Sequence, residues 1–162
     1  MRSPDTMERE TIVQRTLLVN ASAEAIWKAL TEPHLTKLYM DGLQARSTWK
    51  RGAPLTWVEK NEEGEAVRWK GTVMENLPGH RLRYTSFNIQ GDLPDEPSSY
   101  TTVDISVEVE RDGRAKLSLW HGDFAGLPHD VRRTREAGRK WVEALVGLKR
   151  VAEEQQDLMA AA

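Results

Sequence analysis

The stretch His121-Gly-Asp-Phe-Ala-Gly-Leu-Pro-His129-Asp130 brings two imidazoles and two carboxylates close together in the chain. Such groups are metal ligands when they converge. Their spacing matches no helix-borne ligand pair, and Asp130 falls in the first turn of a predicted helix, where a carboxylate complements the helix dipole. No metal and no cofactor is therefore assigned. His121 stands apart from the other three. It shares strand parity with Leu117 and Leu119, so it points inward, where an imidazole can exchange protons near neutral pH or anchor a ligand. The same placement also suits a buried histidine whose nitrogens are satisfied by backbone or water. Tyr84, and Arg68 or Glu75 depending on strand register, are further inward polar candidates. Trp57, Trp69, Trp120 and Phe87 are large rings that either line an apolar cavity or fill core.

Several chemistries are missing from the sequence. The chain has no cysteine, which removes disulfides, thiolate nucleophiles and cysteine-ligated metal centres. No Gly-x-Ser-x-Gly elbow occurs, and no Gly-rich phosphate loop precedes a helix. With 23 basic against 25 acidic residues, the net charge of −2 argues against a nucleic-acid surface. Arg132, Arg133, Arg135, Arg139 and Lys140 form a local basic cluster that reads as a solvated helix face, with Glu136 and Lys140 spaced for an i,i+4 pair. No segment is apolar for the length of a membrane span, and the first residues lack a signal-peptide core, so the expected setting is cytoplasmic.

The elements that must position the candidate side chains follow from periodicity. Apolar and small residues at Val131, Thr134, Gly138, Trp141, Leu145, Leu148 and Ala152 predict a long amphipathic helix over Pro128–Glu154, its stripe widened by Val142 and Val146. Glu10–Asn20 alternates as a first strand. Asn20 or Ser22 caps a helix that Pro33 stops, and Pro33 opens a second short one. After Gly42 come six strands, Leu43–Thr48, Pro54–Lys60, Ala66–Glu75, Arg81–Asn88, Tyr100–Glu110 and Ala115–Phe124, separated by turn residues such as Asp112-Gly113. Val103, Ile105, Val107 and Val109 share one face, Leu117, Leu119 and His121 another, and together they predict a single apolar wall. The Pro-rich acidic loop Gly91–Ser99 is expected at the rim. The whole reads as an α+β fold, a curved antiparallel sheet of six to seven strands with two short helices after strand 1, received by the C-terminal helix. Residues 1–9 are expected as a flexible leader, 10–155 as one domain and 156–162 as a flexible tail.

This order resembles the START-like superfamily, and more narrowly its branch of homologues of the activator of the heat-shock-protein-90 ATPase. The carrying residues are Arg15-Thr-Leu-Leu-Val-Asn, Ala23-Glu-Ala-Ile-Trp-Lys-Ala-Leu-Thr-Glu-Pro-His-Leu, Gly71-Thr-Val-Met-Glu with Pro78, Arg81-Leu-Arg-Tyr84, Leu117-Ser-Leu-Trp-His-Gly-Asp-Phe124, and Gly138 shortly before Trp141. The resemblance spans about Ile12 to Glu153 and implies a helix-grip fold. A tryptophan usual in the branch is replaced here by Leu38-Tyr39. The fold carries lipid carriers, cyclases, receptors and co-chaperone domains. The expected function is binding of a small hydrophobic molecule, lipid-like or aromatic, between sheet and helix by Trp57, Trp69, Tyr84, Phe87, Leu119, His121, Gly138, Trp141 and Leu145. The alternatives are a cyclase or dehydratase using His121, and a protein-interaction module. A monomer or homodimer is expected. An interior of less than roughly 300 Å³ would leave no room for a drug-sized ligand.

Overall fold

The computed structural model describes residues 10–162, and the expected leader 1–9 lies outside the described residues. β1 (Val13–Val19) leads into α1 (Ala23–Thr31), whose first turn is capped by Ser22: its hydroxyl accepts from the Ala25 N–H at 3.1 Å. Pro33 opens the one-turn α2 (Pro33–Thr36). Six strands follow: β2 (Gln44–Arg46), β3 (Pro54–Asn61), β4 (Gly64–Leu77), β5 (Arg81–Asn88), β6 (Thr101–Val109) and β7 (Ala115–Gly122), and the chain ends in α3 (Asp130–Ala161). They form one antiparallel sheet in the order β1-β7-β6-β5-β4-β3-β2. The two short helices carry the chain from β1 at one edge to β2 at the other. The register slips between Trp57 and Val58 and between Val73 and Glu75, and such irregularities bend strands and turn a flat sheet into a curved one.

Register decides which side chains meet. Val13, His121, Val103, Tyr84 and Val73 are successive partners across β1, β7, β6, β5 and β4, one row running over the inward face, and all five are buried. Pairing Ser86 with Thr101 starts the next row. Towards that end of the sheet the inward wall gains the small hydroxyl side chains of Ser86 and Thr101. At Gly71 β5 lies hard against β4: a Cβ there would lie 1.7 Å from the Thr85 carbonyl oxygen. At this point the Thr85 hydroxyl accepts from the Thr72 N–H at 2.8 Å, supplying a hydrogen bond the irregular ladder lacks.

Four sequence expectations are corrected. α3 runs past Glu154 to Ala161, through the stretch expected as a tail. Its last turns are held by the domain: Glu153 accepts from the Asn20 N–H at 2.8 Å and Gln156 from the Ser22 N–H at 2.9 Å. Val142 and Val146, expected to widen the buried stripe, are 48% and 64% exposed. The stripe broadens on the other flank, through Ala144, Gly147 and Val151. Small residues win there because the chain is close: a Cβ on Gly147 would lie 2.5 Å from Tyr39 Cβ. Val109, expected on the apolar wall, is 64% exposed at the last position of β6, three residues before the Asp112-Gly113 turn. Glu136 pairs with Arg132, one turn before it, rather than with Lys140.

Candidate functional site

Two adjoining chambers open between the inward face of the sheet and α3, each about 170 Å³. The first is lined by Tyr39, Trp57, Trp69, Tyr84, Trp141 and Ala144 among others. The second, towards the rim, is lined by Phe87, Leu93, Thr101, Phe124 and Leu127. Trp69, Ser86, His121, Ala137 and Lys140 line both. The rim loop closes the second chamber through Gly91, Leu93 and Ser99, and is tied to α3 where Arg133 donates to Asp92 at 2.9 Å. Its other anchors are Lys70 and the Tyr100 hydroxyl, both of which donate to Asp95. The Tyr100 ring stacks on Phe87, with centroids 4.9 Å apart. Lys140 and Glu143 are exposed on α3 and mark the mouth, as does exposed Asp41 beside α2.

His121 is the hinge between the chambers. Its Nδ1 accepts the Trp141 indole N–H at 2.9 Å, and its Nε2 lies 2.8 Å from the Thr101 hydroxyl. Indole nitrogen only donates. Nδ1 must therefore offer its lone pair, which leaves the proton of the neutral ring on Nε2, donating to Thr101. Burial pulls the imidazole pKa down to about 4, so the ring is neutral at physiological pH. Both ring nitrogens are occupied by protein. His121 thus joins β7, β6 and α3 across the cavity.

Tyr84 is the opposite case. The residue is 4% exposed, yet its hydroxyl makes no hydrogen bond among the described residues. It is not sealed off either, since the one fully occluded, unpartnered side-chain polar atom found among them is Arg83 Nε. The hydroxyl therefore faces the chamber its residue lines. Desolvation raises its pKa far above the ordinary tyrosine value, so it stays a neutral O–H donor. Tyr39 shares the chamber, but its hydroxyl is spent on the Ala29 carbonyl at 2.6 Å. Because Tyr84 gives up nothing on losing its hydroxyl, Tyr84→Phe is expected to keep the apo protein's stability within about 0.5 kcal/mol or raise it, as read from urea unfolding. A clear destabilisation would mean that the hydroxyl has a partner.

The family model described as Activator of Hsp90 ATPase homolog 1-like protein matches residues 20–153. The chain belongs to this family. No curated protein matches it by sequence. Among solved structures, it resembles ChR145 from Cytophaga hutchinsonii at 26% identity and a TM-score of 0.70, over 89% of this chain and 94% of that one. The Aha1 dimer from Colwellia psychrerythraea shares the fold at 17% identity and TM-score 0.65, over 88% and 96% of the two chains. CalU16 from Micromonospora echinospora does so at 17% identity and TM-score 0.60, over 93% and 94%.

In this activator-homologue chain, the expected contact residues separate into three groups. Trp57, Trp69, Tyr84, His121 and Trp141 line the first chamber, and Phe87 lines the second. Leu119 and Leu145 are buried core outside both. Gly138 does mark a close approach, but to the sheet edge: a Cβ there would lie 3.0 Å from Arg15 Nη2 and 3.9 Å from Val13 Cγ2. Trp120 lines a groove on the other side of the sheet with Arg81, Arg83 and Asp104. Arg68 is spent on an ion pair with Glu59 at 2.6 Å. Sequence reasoning passed over Tyr39, Ser86, Thr101, Ala137 and Ala144. Ser86 and Thr101 were within reach through their parity with Tyr84 and Val103, and the alanines through their steps of four and three from Trp141. Among the described residues no three His, Asp or Glu side chains converge as a metal cluster, and no helix is long and apolar enough to cross a membrane.

Proposed function

We propose that this chain binds a small hydrophobic molecule in the paired chambers between the sheet and α3. The observation that carries the reading is the first chamber itself: an interior space walled by Trp57, Trp69, Tyr84 and Trp141. Each chamber alone is smaller than the ~300 Å³ of a typical drug-sized site. The occupant is therefore either compact or extends through both. A cyclase-like reaction at His121 has less support, because proton exchange there would first have to break the bonds to Trp141 or Thr101.

Ala137 supplies the test, since it lines both chambers and points from a helix that tolerates leucine well. Acetylnaphthalene titrated against the wild type is expected to shift the indole N–H resonances of Trp57 and Trp69. Ala137→Leu should weaken that binding at least about tenfold, the equivalent of one excluded ring contact, while the melting temperature is retained. Shifts that survive unchanged in the variant would place the ligand elsewhere.

A further inference from the structure

The hydrogen-bonding groups left unspent around the first chamber are unequal in kind. Of the acceptors of its interior, His121 Nδ1 takes the Trp141 N–H, and the Tyr39 hydroxyl is directed at Ala29; the Tyr84 and Ser86 hydroxyls can give or take a hydrogen bond, whereas indole nitrogens only give. The carboxylates of Asp41 and Glu143 stand in solvent at the mouth. The donors are free. Tyr84 O–H, Ser86 O–H and the indole N–H groups of Trp57 and Trp69 have no hydrogen-bond partner among the described residues. In the adjoining second chamber Thr101 accepts from His121 Nε2, so its own proton also remains to be given. Tyr84 is the deepest of these and lies beside Trp57, with ring centroids 6.1 Å apart. A buried donor without a partner is costly, and a ligand that supplies an acceptor recovers that cost.

Size and shape narrow the class further. About 170 Å³ bounded by flat rings takes one or two fused rings, not an extended acyl chain. Among the described residues no cation is buried in the chamber with Tyr84, and the lining cation, Lys140, is exposed. A desolvated site of this kind disfavours a charged carboxylate and favours a neutral oxygen.

We infer that the ligand is a compact, neutral aromatic carbonyl compound whose oxygen accepts from the Tyr84 hydroxyl while its ring lies among Trp57, Trp69 and Trp141. This inference rests on the ligand-binding reading above and adds the chemical class and the residue that selects it.

The test compares acetylnaphthalene with isopropylnaphthalene, which has the same shape without the acceptor, and with palmitate, by calorimetry on the wild type and on Tyr84→Phe. In the wild type the ketone should bind roughly tenfold tighter than the hydrocarbon, the fold-change expected when a buried donor is left unpaired. In Tyr84→Phe the two should become equal, the hydrocarbon binding at least as tightly as it does to the wild type. Equal affinities in the wild type, or a gap that persists in the variant, would overturn the inference and leave the ligand-binding reading standing. So would palmitate binding more tightly than the ketone. If none of the three binds the wild type, both readings fall. The wild-type comparison of ketone and hydrocarbon does not depend on the variant's folding.

Discussion

His121→Leu is expected to lower stability by roughly 3 kcal/mol, because it removes the acceptor of the buried Trp141 N–H and the partner of Thr101 together. For a chain of this length that is a fall in melting temperature of about 10 °C. His121→Gln tests the cause. Its amide can accept from Trp141 and donate to Thr101, so it should recover part of the loss, whereas a purely steric role for His121 would leave Gln and Leu alike. A loss below about 1 kcal/mol in His121→Leu would refute the linking role.

The same residue sets an acid limit. The folded-state pKa of about 4 lies below the ordinary value of 6.5. Between these values the unfolded chain carries a proton on His121 that the folded chain does not. Its contribution to stability is therefore complete above pH 6.5, falls as the pH drops from 6.5 towards about 4, and levels off below that. The two values imply ~3 kcal/mol over the window. Asp92 and Asp95, held below the usual carboxylate range by Arg133 and Lys70, lose their contributions at still lower pH. Urea unfolding at a series of pH values should show the His121 limb in the wild type and not in His121→Gln. Identical slopes for the two proteins would assign the limb to other groups.

Gly71→Ala carries the second large effect, again roughly 3 kcal/mol. Its Cβ would lie 1.7 Å from a backbone oxygen and 2.5 Å from the carbonyl carbon of Thr85, so no side-chain rotation can relieve the contact. β4 and β5 must part there, and the loss includes the Thr72 to Thr85 hydrogen bond. The strands concerned hold Trp69, Tyr84 and Ser86, so ligand affinity should fall with stability. Gly138→Ala is the control: its nearest neighbour is the flexible end of Arg15, and alanine gains about 1 kcal/mol of helix propensity. It should fold at least as stably as the wild type within about 1 kcal/mol. If Gly71→Ala behaves the same way, β4 and β5 are not as close as described.

Much of this protein was legible in the chain. Alternation along Val103-Asp-Ile-Ser-Val107 and Leu117-Ser-Leu-Trp-His121 placed those side chains inward, because strand geometry admits only two faces. Steps of three and four put Thr134, Gly138, Trp141, Leu145 and Leu148 on the buried stripe of α3, because a helix has one period. Those local rules also carried Tyr84, Trp57, Trp69 and Trp141 to the chamber's wall. They could not say which of the expected contact residues share one space. Leu119 has the same parity as His121 but lies two residues along its strand, and helix and neighbouring strands close over it.

What each polar group does there follows from contacts between elements distant in the chain. His121 and Tyr84 look alike as inward polar residues in a list of strand positions. Packing α3 against β7 brings Trp141 to one imidazole nitrogen, and the β6–β7 pairing brings Thr101 to the other, whereas among the described residues no such neighbour reaches the Tyr84 hydroxyl. Hydrogen bonds over 2.8–2.9 Å depend on contacts between residues 20 positions apart in the chain, which no local period specifies. Local periodicity places the wall, and the approach of distant elements settles which of its polar groups are spent within the protein and which are not.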